Sequence, residues 1–159
     1  MDIRIGHGYD VHAIAEGLKM HLGGVEIPSD TGFVAHSDGD VAIHALCDAI
    51  LGALALGDIG HLFPDTDPEW KGIDSKVLLS KVVAAASEKG YRLSNADITI
   101  ALQRPKIAPY IESMRQALSS VIGCPEGRIS VKATTTEHLG FVGRGEGCEA
   151  WASVIMETF

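Results

Sequence analysis

Three side chains raise the first chemical question. Asp10 and His12 lie two residues apart in a stretch where Ile3, Ile5, Tyr9 and Val11 alternate with other residues. On a strand, side chains two apart point the same way, so a carboxylate and an imidazole share one face. His44 sits in the middle of a long apolar run, with Asp40 four residues before it and Asp48 four residues after it. On a helix that spacing draws a single narrow polar stripe. Two imidazoles and a carboxylate make a set that suits zinc, with a fourth position left for a ligand atom. Two plainer readings stand beside it. The stripe also fits the solvated edge of a helix, and His44 fits a satisfied core histidine beside a surface pair.

Other clusters are equally double-edged. The run Ala35-His36-Ser37-Asp38-Gly39-Asp40 has the residues that cap a helix start, yet a helix start also offers N–H groups and a positive dipole end to an anion. Asp58-Ile59-Gly60 and Phe63-Pro64-Asp65-Thr66-Asp67-Pro68 read as turn chemistry or as a loop whose carboxylates and carbonyls bind hydroxyls. Lys132-Ala133-Thr134-Thr135-Thr136-Glu137 fits strand propensity. It equally offers hydroxyls, an ammonium and a carboxylate to a phosphate with Mg²⁺ or Mn²⁺. Arg104-Pro105-Lys106 and Arg144 add positive charge. Neither a P-loop nor a dinucleotide-binding glycine motif is present in the sequence. Cys124 and Cys148 have no local nucleophile motif and read as small core residues.

The elements that must carry these residues alternate between strand and helix. Ile3 to Val11 predicts a strand with a glycine break, and Met20–Leu22 with Val25–Ile27 predicts a hairpin around Gly23-Gly24. Helices are expected from Ser37 to about Leu56, from Asp74 or Ser75 to just before Gly90, and from about Pro109 to Gly123. Strands are expected at Asp97–Gln103, Ile129–Ala133 and Ala150–Met156. The sum is an α/β chain of the α+β two-layer sandwich type: about four long strands in a mixed sheet, about three helices on one face, and a small hairpin.

Composition bounds the rest. The 159 residues, 46% hydrophobic and 21% charged, suit one domain spanning 1–159. With 13 basic against 21 acidic residues, the net charge of −8 excludes an extended nucleic-acid surface. It also means that a polyanionic ligand needs locally supplied positive charge. No membrane span is expected, because the longest apolar run is broken by His44, Asp48 and Gly52. No signal or transit peptide is expected either. Three cysteines without a C-x-x-C pair point to a reducing cytoplasm.

The strings GHGYDVH (6–12), AHSDGDVAIHALCDAILGALALGDIGHLFPDTDP (35–68), RPK (104–106) and KATTTEHLGFVGRGEG (132–147) resemble the 2-C-methyl-D-erythritol 2,4-cyclodiphosphate synthase family. The resemblance implies a homotrimer with active sites between subunits. It implies conversion of 4-diphosphocytidyl-2-C-methyl-D-erythritol 2-phosphate to the cyclic diphosphate with release of CMP. It makes Asp10, His12 and His44 zinc ligands, Glu137 the ligand of a Mg²⁺ or Mn²⁺, and Thr135 a phosphate contact. His36, Ser37, Asp40, Phe63, Asp65 and Asp67 fall on the methylerythritol phosphate side, and Asp58 and Gly60 meet the ribose. Pro105, Lys106 and Ile107, with Ala133, Thr134 and Thr135, hold cytosine and diphosphate from the adjacent chain. Tyr9, Phe141 and Arg144 line an axial cavity for an isoprenoid diphosphate.

Overall fold

A computed structural model describes residues 1–159. Five strands form one mixed sheet: β1 (Ile3–Glu16), β4 (Thr31–Val34), β5 (Tyr91–Ala101), β6 (Ile129–Thr134) and β7 (Gly147–Thr158). Their order across the sheet is β4-β1-β7-β5-β6, with β5 and β6 parallel and every other pair antiparallel. β2 (Met20–Leu22) and β3 (Val25–Ile27) pair as the separate hairpin expected around Gly23-Gly24. Three long helices, α1 (Val41–Ala53), α3 (Ser75–Glu88) and α4 (Ile111–Ile122), pack on the sheet. Two single-turn helices, α2 (Ile59–Leu62) and α5 (Gly140–Gly143), lie in the connections. This is the expected α+β architecture with one strand more than anticipated. The extra strand, β4, is only four residues long and contains Gly32, too short for an alternating pattern to stand out.

α1 is the centre of the helical layer. All its residues except Asp48 and Gly52 are buried, so it is covered all round, as its near-continuous apolar run requires. It starts four residues later than expected. Ser37-x-x-Asp40 resembles a capping box, but Asp40 is the cap, with its side chain accepting the Ile43 N–H. The helix also stops at Ala53, ahead of the Leu56 expected. α4 ends as the sequence predicts, at Gly123 with φ +78°, the left-handed conformation that glycine adopts at low cost.

β1 is unbroken through Gly6-His7-Gly8, contrary to the expected interruption. The two glycines serve packing instead. A Cβ on Gly6 would lie 1.8 Å from the Ala49 carbonyl oxygen, and one on Gly8 would lie 1.9 Å from that of Ala45. The α1 backbone therefore rests directly on β1, closer than any side chain permits. Beneath the helices, Ile98, Ile100, Val131, Ala150 and Val154 meet Leu46, Ile50, Leu79, Met114 and Leu118 in one continuous core. The opposite face of the sheet leaves Ile3, Ile5, Tyr9, Val11 and Ile155 exposed, with Ile5 at 77%. No helix is long and apolar enough to cross a membrane.

Candidate functional site

The alternation of β1 decides what meets α1. Gly6, Gly8, Asp10 and His12 all turn toward the helical layer, and the glycines bring the helix down at Ala45 and Ala49. His44, adjacent to Ala45, is thereby held over Asp10 and His12. The donor atoms converge: Asp10 Oδ2 is 2.9 Å from His12 Nε2 and 3.0 Å from His44 Nδ1, and the two imidazole nitrogens are 3.1 Å apart. Tetrahedral zinc with bonds of about 2.0–2.1 Å separates its ligands by about 3.3 Å. An ion would fit among these three with displacements of a few tenths of an ångström, and all three residues line the cleft described below. Burial works to raise the Asp10 carboxyl, but hydrogen bonds and charge from His12 and His44 outweigh it and hold the group at about 2. Burial pulls the His44 imidazole down, while Asp10 first, then Asp40 and Asp38, more than offset that and raise it.

The polar stripe of α1 is not a solvated edge. His44 is 5% exposed and Asp40 is fully buried. Asp48 is spent on the backbone N–H of Ile59 at 2.8 Å, which fixes the start of α2. Asp40, expected on the methylerythritol phosphate side, lies apart from the cleft lining. Its carboxylate accepts the N–H groups of Gly23, Gly24 and Ile43 at 2.9, 2.7 and 3.0 Å, so it joins the hairpin to α1 and does not line the cleft. Three backbone donors take up most of its acceptor capacity.

A cleft of about 480 Å³ opens beside the cluster and is lined by Asp10, His12, His36, Ser37, His44, Gly60, Phe63 and Asp65 among others. His36 Nε2 lies 2.9 Å from the Asp67 carbonyl. The carboxylates of Asp58 and Asp67 cap short helical turns, accepting from His61 and Glu69. Trp70, which the sequence did not single out, packs edge-on to Phe63 with ring centres 5.0 Å apart and lines the same cleft. Ser75 was expected only as a helix cap; it is fully buried, with its hydroxyl 2.9 Å from His44 Nε2. No local signal marks it, because its partners are 31 and 37 residues away.

The remaining expected residues lie elsewhere on the chain. Asp10, Ala150, Ile100 and Ala133 occupy one row across β1, β7, β5 and β6, so Ala133 is three strand spacings, about 14 Å, from Asp10. Ala133, Thr134, Thr135 and Glu137 are all exposed. Glu137 and His138 have φ of +53° and +62°, uncommon for residues with a Cβ. Gly143 makes room for that turn, since a Cβ there would meet the His138 backbone at 2.1 Å. Pro105 and Lys106 lie in the loop after β5, and Ile107 is buried in the core at 4% exposure. Arg144 pairs with Glu146 at 2.9 Å. Tyr9 donates to Glu149 at 2.6 Å, and that bond holds the phenol proton, raising its pKa to about 12.

Comparison with known proteins follows the same strings. The YgbB family model matches residues 3–157. A protein of Geobacter metallireducens named 2-C-methyl-D-erythritol 2,4-cyclodiphosphate synthase is 60% identical over 155 residues, covering 98% of this chain and 99% of the relative. The bifunctional IspDF of Campylobacter jejuni superposes with a TM-score of 0.96 at 45% identity, covering 99% of this chain; the chain spans 43% of that longer protein. IspF of Plasmodium falciparum in complex with CDP superposes with a TM-score of 0.86 at 36% identity, covering 98% of this chain and 96% of that one. With matched sequence from Ile3 to Glu157 and the same fold throughout, the chain belongs to the YgbB family, that of the 2-C-methyl-D-erythritol 2,4-cyclodiphosphate synthases.

Proposed function

We propose that this enzyme converts 4-diphosphocytidyl-2-C-methyl-D-erythritol 2-phosphate to 2-C-methyl-D-erythritol 2,4-cyclodiphosphate and CMP, a step of non-mevalonate isoprenoid precursor synthesis. It acts as a phosphorus–oxygen lyase. The observation that carries the reading is the convergence of Asp10, His12 and His44 in the lining of one cleft, in a chain similar to a protein solved with CDP. A 2-phosphate oxygen bonds to the β-phosphorus while the bond from that phosphorus to the oxygen bridging the α-phosphate breaks, and that oxygen leaves with CMP. The second pKa of a phosphate monoester is about 6, so the attacking group is already mostly a dianion at neutral pH and needs no general base. What the protein must supply is position and local positive charge against anion–anion repulsion.

Asp10, His12 and His44 would hold zinc, and Glu137 would hold Mg²⁺ or Mn²⁺; bound there, the two ions supply charge neutralisation and Lewis acidity that a chain of net charge −8 does not carry itself. His36, Ser37, Phe63 and Asp65 orient the methylerythritol phosphate end, with Asp67 fixing His36 through its carbonyl. Asp58 and Gly60 take the ribose. Pro105, Lys106 and Ile107, with Ala133 and Thr134, take the cytosine and diphosphate from a neighbouring subunit, and Thr135 donates its hydroxyl to phosphate. Closing the cleft against water favours the ring over hydrolysis. A homotrimer is supported by the distance of about 14 Å between the two sets within one chain and by the exposed apolar sheet face. In that assembly Tyr9, Phe141 and Arg144 face an axial cavity suited to an isoprenoid diphosphate. The free thiols of Cys47, Cys124 and Cys148 support a cytoplasmic location.

The test is product analysis. Zinc-loaded protein with Mg²⁺ or Mn²⁺ should give the cyclic diphosphate and CMP in equal amounts by mass spectrometry. CMP with a linear phosphate product would instead identify a hydrolase.

A further inference from the structure

The geometry points to Ser75 as a positioning residue that holds the Nε2 proton of His44, leaving Nδ1, which faces Asp10 Oδ2 at 3.0 Å, as the nitrogen that gives up its proton to a metal. This inference rests on the proposed metal site at Asp10, His12 and His44. Ser75 opens α3 and is fully buried, and its hydroxyl has only one proton to give. That proton goes to Asp38: Ser75 Oγ donates to Asp38 Oδ1 at 2.5 Å, while the Ser75 backbone N–H donates to Asp38 Oδ2 at 2.9 Å. A carboxylate is acceptor-only, so Asp38 grips Ser75 by two donors and dictates the direction of the hydroxyl. Toward His44 Nε2, at 2.9 Å, Ser75 Oγ then presents lone pairs alone. An unprotonated Nε2 would face lone pair against lone pair at the buried Ser75, whereas Nε2–H completes the chain from His44 to Ser75 to Asp38.

Ser37 does not do the same work. Its hydroxyl lies 3.2 Å from Nε2, and no other side-chain acceptor fixes its own proton, so it accommodates either tautomer. Asp38 is itself anchored. Its N–H donates to the Ile73 carbonyl at 3.0 Å, and its Oδ1 also accepts the Asp40 N–H at 3.0 Å. The segments leading into α1 and α3 are therefore clamped together at the residue that sets the His44 proton. Outer partners of this kind fix the ring of a metal-binding histidine, and their removal typically costs about 10- to 100-fold in metal affinity.

The test is a chelator-competition titration of zinc with wild type, Ser75→Ala, Ser75→Thr and His44→Ala, together with nitrogen-15 spectra of the His44 ring in the zinc-loaded wild type. Expected are a hydrogen-bonded proton on Nε2 in wild type, zinc affinity about 10- to 100-fold weaker in Ser75→Ala, and recovery in Ser75→Thr. Ser75→Ala binding zinc within twofold of wild type while His44→Ala loses it would overturn the role of Ser75 and leave the metal site standing. Zinc binding by wild type no tighter than by His44→Ala would overturn the metal site itself. Because the ring spectrum needs no variant, a wild-type proton found on Nδ1 rejects the proposal even if Ser75→Ala fails to fold.

Discussion

The two ends of one sheet row are built differently. At the β1 end, Asp10, His12 and His44 are packed under α1 and tied into a web that runs through Ser75 and Asp38 to the start of α3. At the β6 end, Thr134 closes the strand and Thr135 and Glu137 stand exposed on the turn after it, and the side-chain hydroxyls of the two threonines bond only within that segment. The first region is fixed before any ligand arrives, as a metal centre requires if its geometry is not to be rebuilt at each binding event. The second has its backbone set by the left-handed turn at Glu137 and His138 but its side chains exposed, which suits groups that must close on a substrate.

That contrast gives an ordered set of outcomes. His44→Ala should lose bound zinc and lower turnover by about a thousandfold or more, with the far-ultraviolet dichroism of a folded chain; zinc retained at full occupancy would remove His44 from the metal centre. Gly8→Ala should destabilise by about 3 kcal/mol in denaturant titration, because its Cβ meets the Ala45 carbonyl oxygen at 1.9 Å. A neutral result would mean that α1 can lift from β1 without cost. Asp40→Ala strands the backbone N–H groups of Gly23, Gly24 and Ile43, the first and last of them buried, and should lower stability by about 2 kcal/mol in the same titration. Its folded fraction should keep normal zinc affinity. Smallest of all, Glu137→Gln should change stability by no more than about 0.5 kcal/mol, as expected for an exposed site. Its expected effect is on the Mg²⁺ or Mn²⁺ concentration needed for half-maximal turnover, and an unchanged metal dependence would remove Glu137 from that role.

Much of the first region could be read from residue order. Asp10-x-His12 on a strand and an imidazole inside an apolar helix define the cluster once the two elements touch. What brings them together, Gly6 and Gly8, is equally visible in the sequence but reads as a break, because a glycine's need for close approach is indistinguishable from a need for a turn until the neighbouring backbone is known. Asp40 carries a related ambiguity: a buried cap and a ligand contact share the same residue type and differ only in what the carboxylate touches. Ser75 was invisible as more than a cap, since its partners Asp38 and His44 come together only through tertiary packing. Roles at Pro105 to Ile107 and at Thr134 to Glu137 came from the family resemblance, and one chain alone does not bring them to the cluster.

The spacing of the two sets along a single row bears on how the enzyme should be handled in solution. On the proposed reading, the zinc-binding residues travel together in each polypeptide, whereas the residues for cytosine and diphosphate reach them only from another copy. Specific activity should therefore fall on dilution to concentrations where subunits separate, while zinc content per chain stays constant.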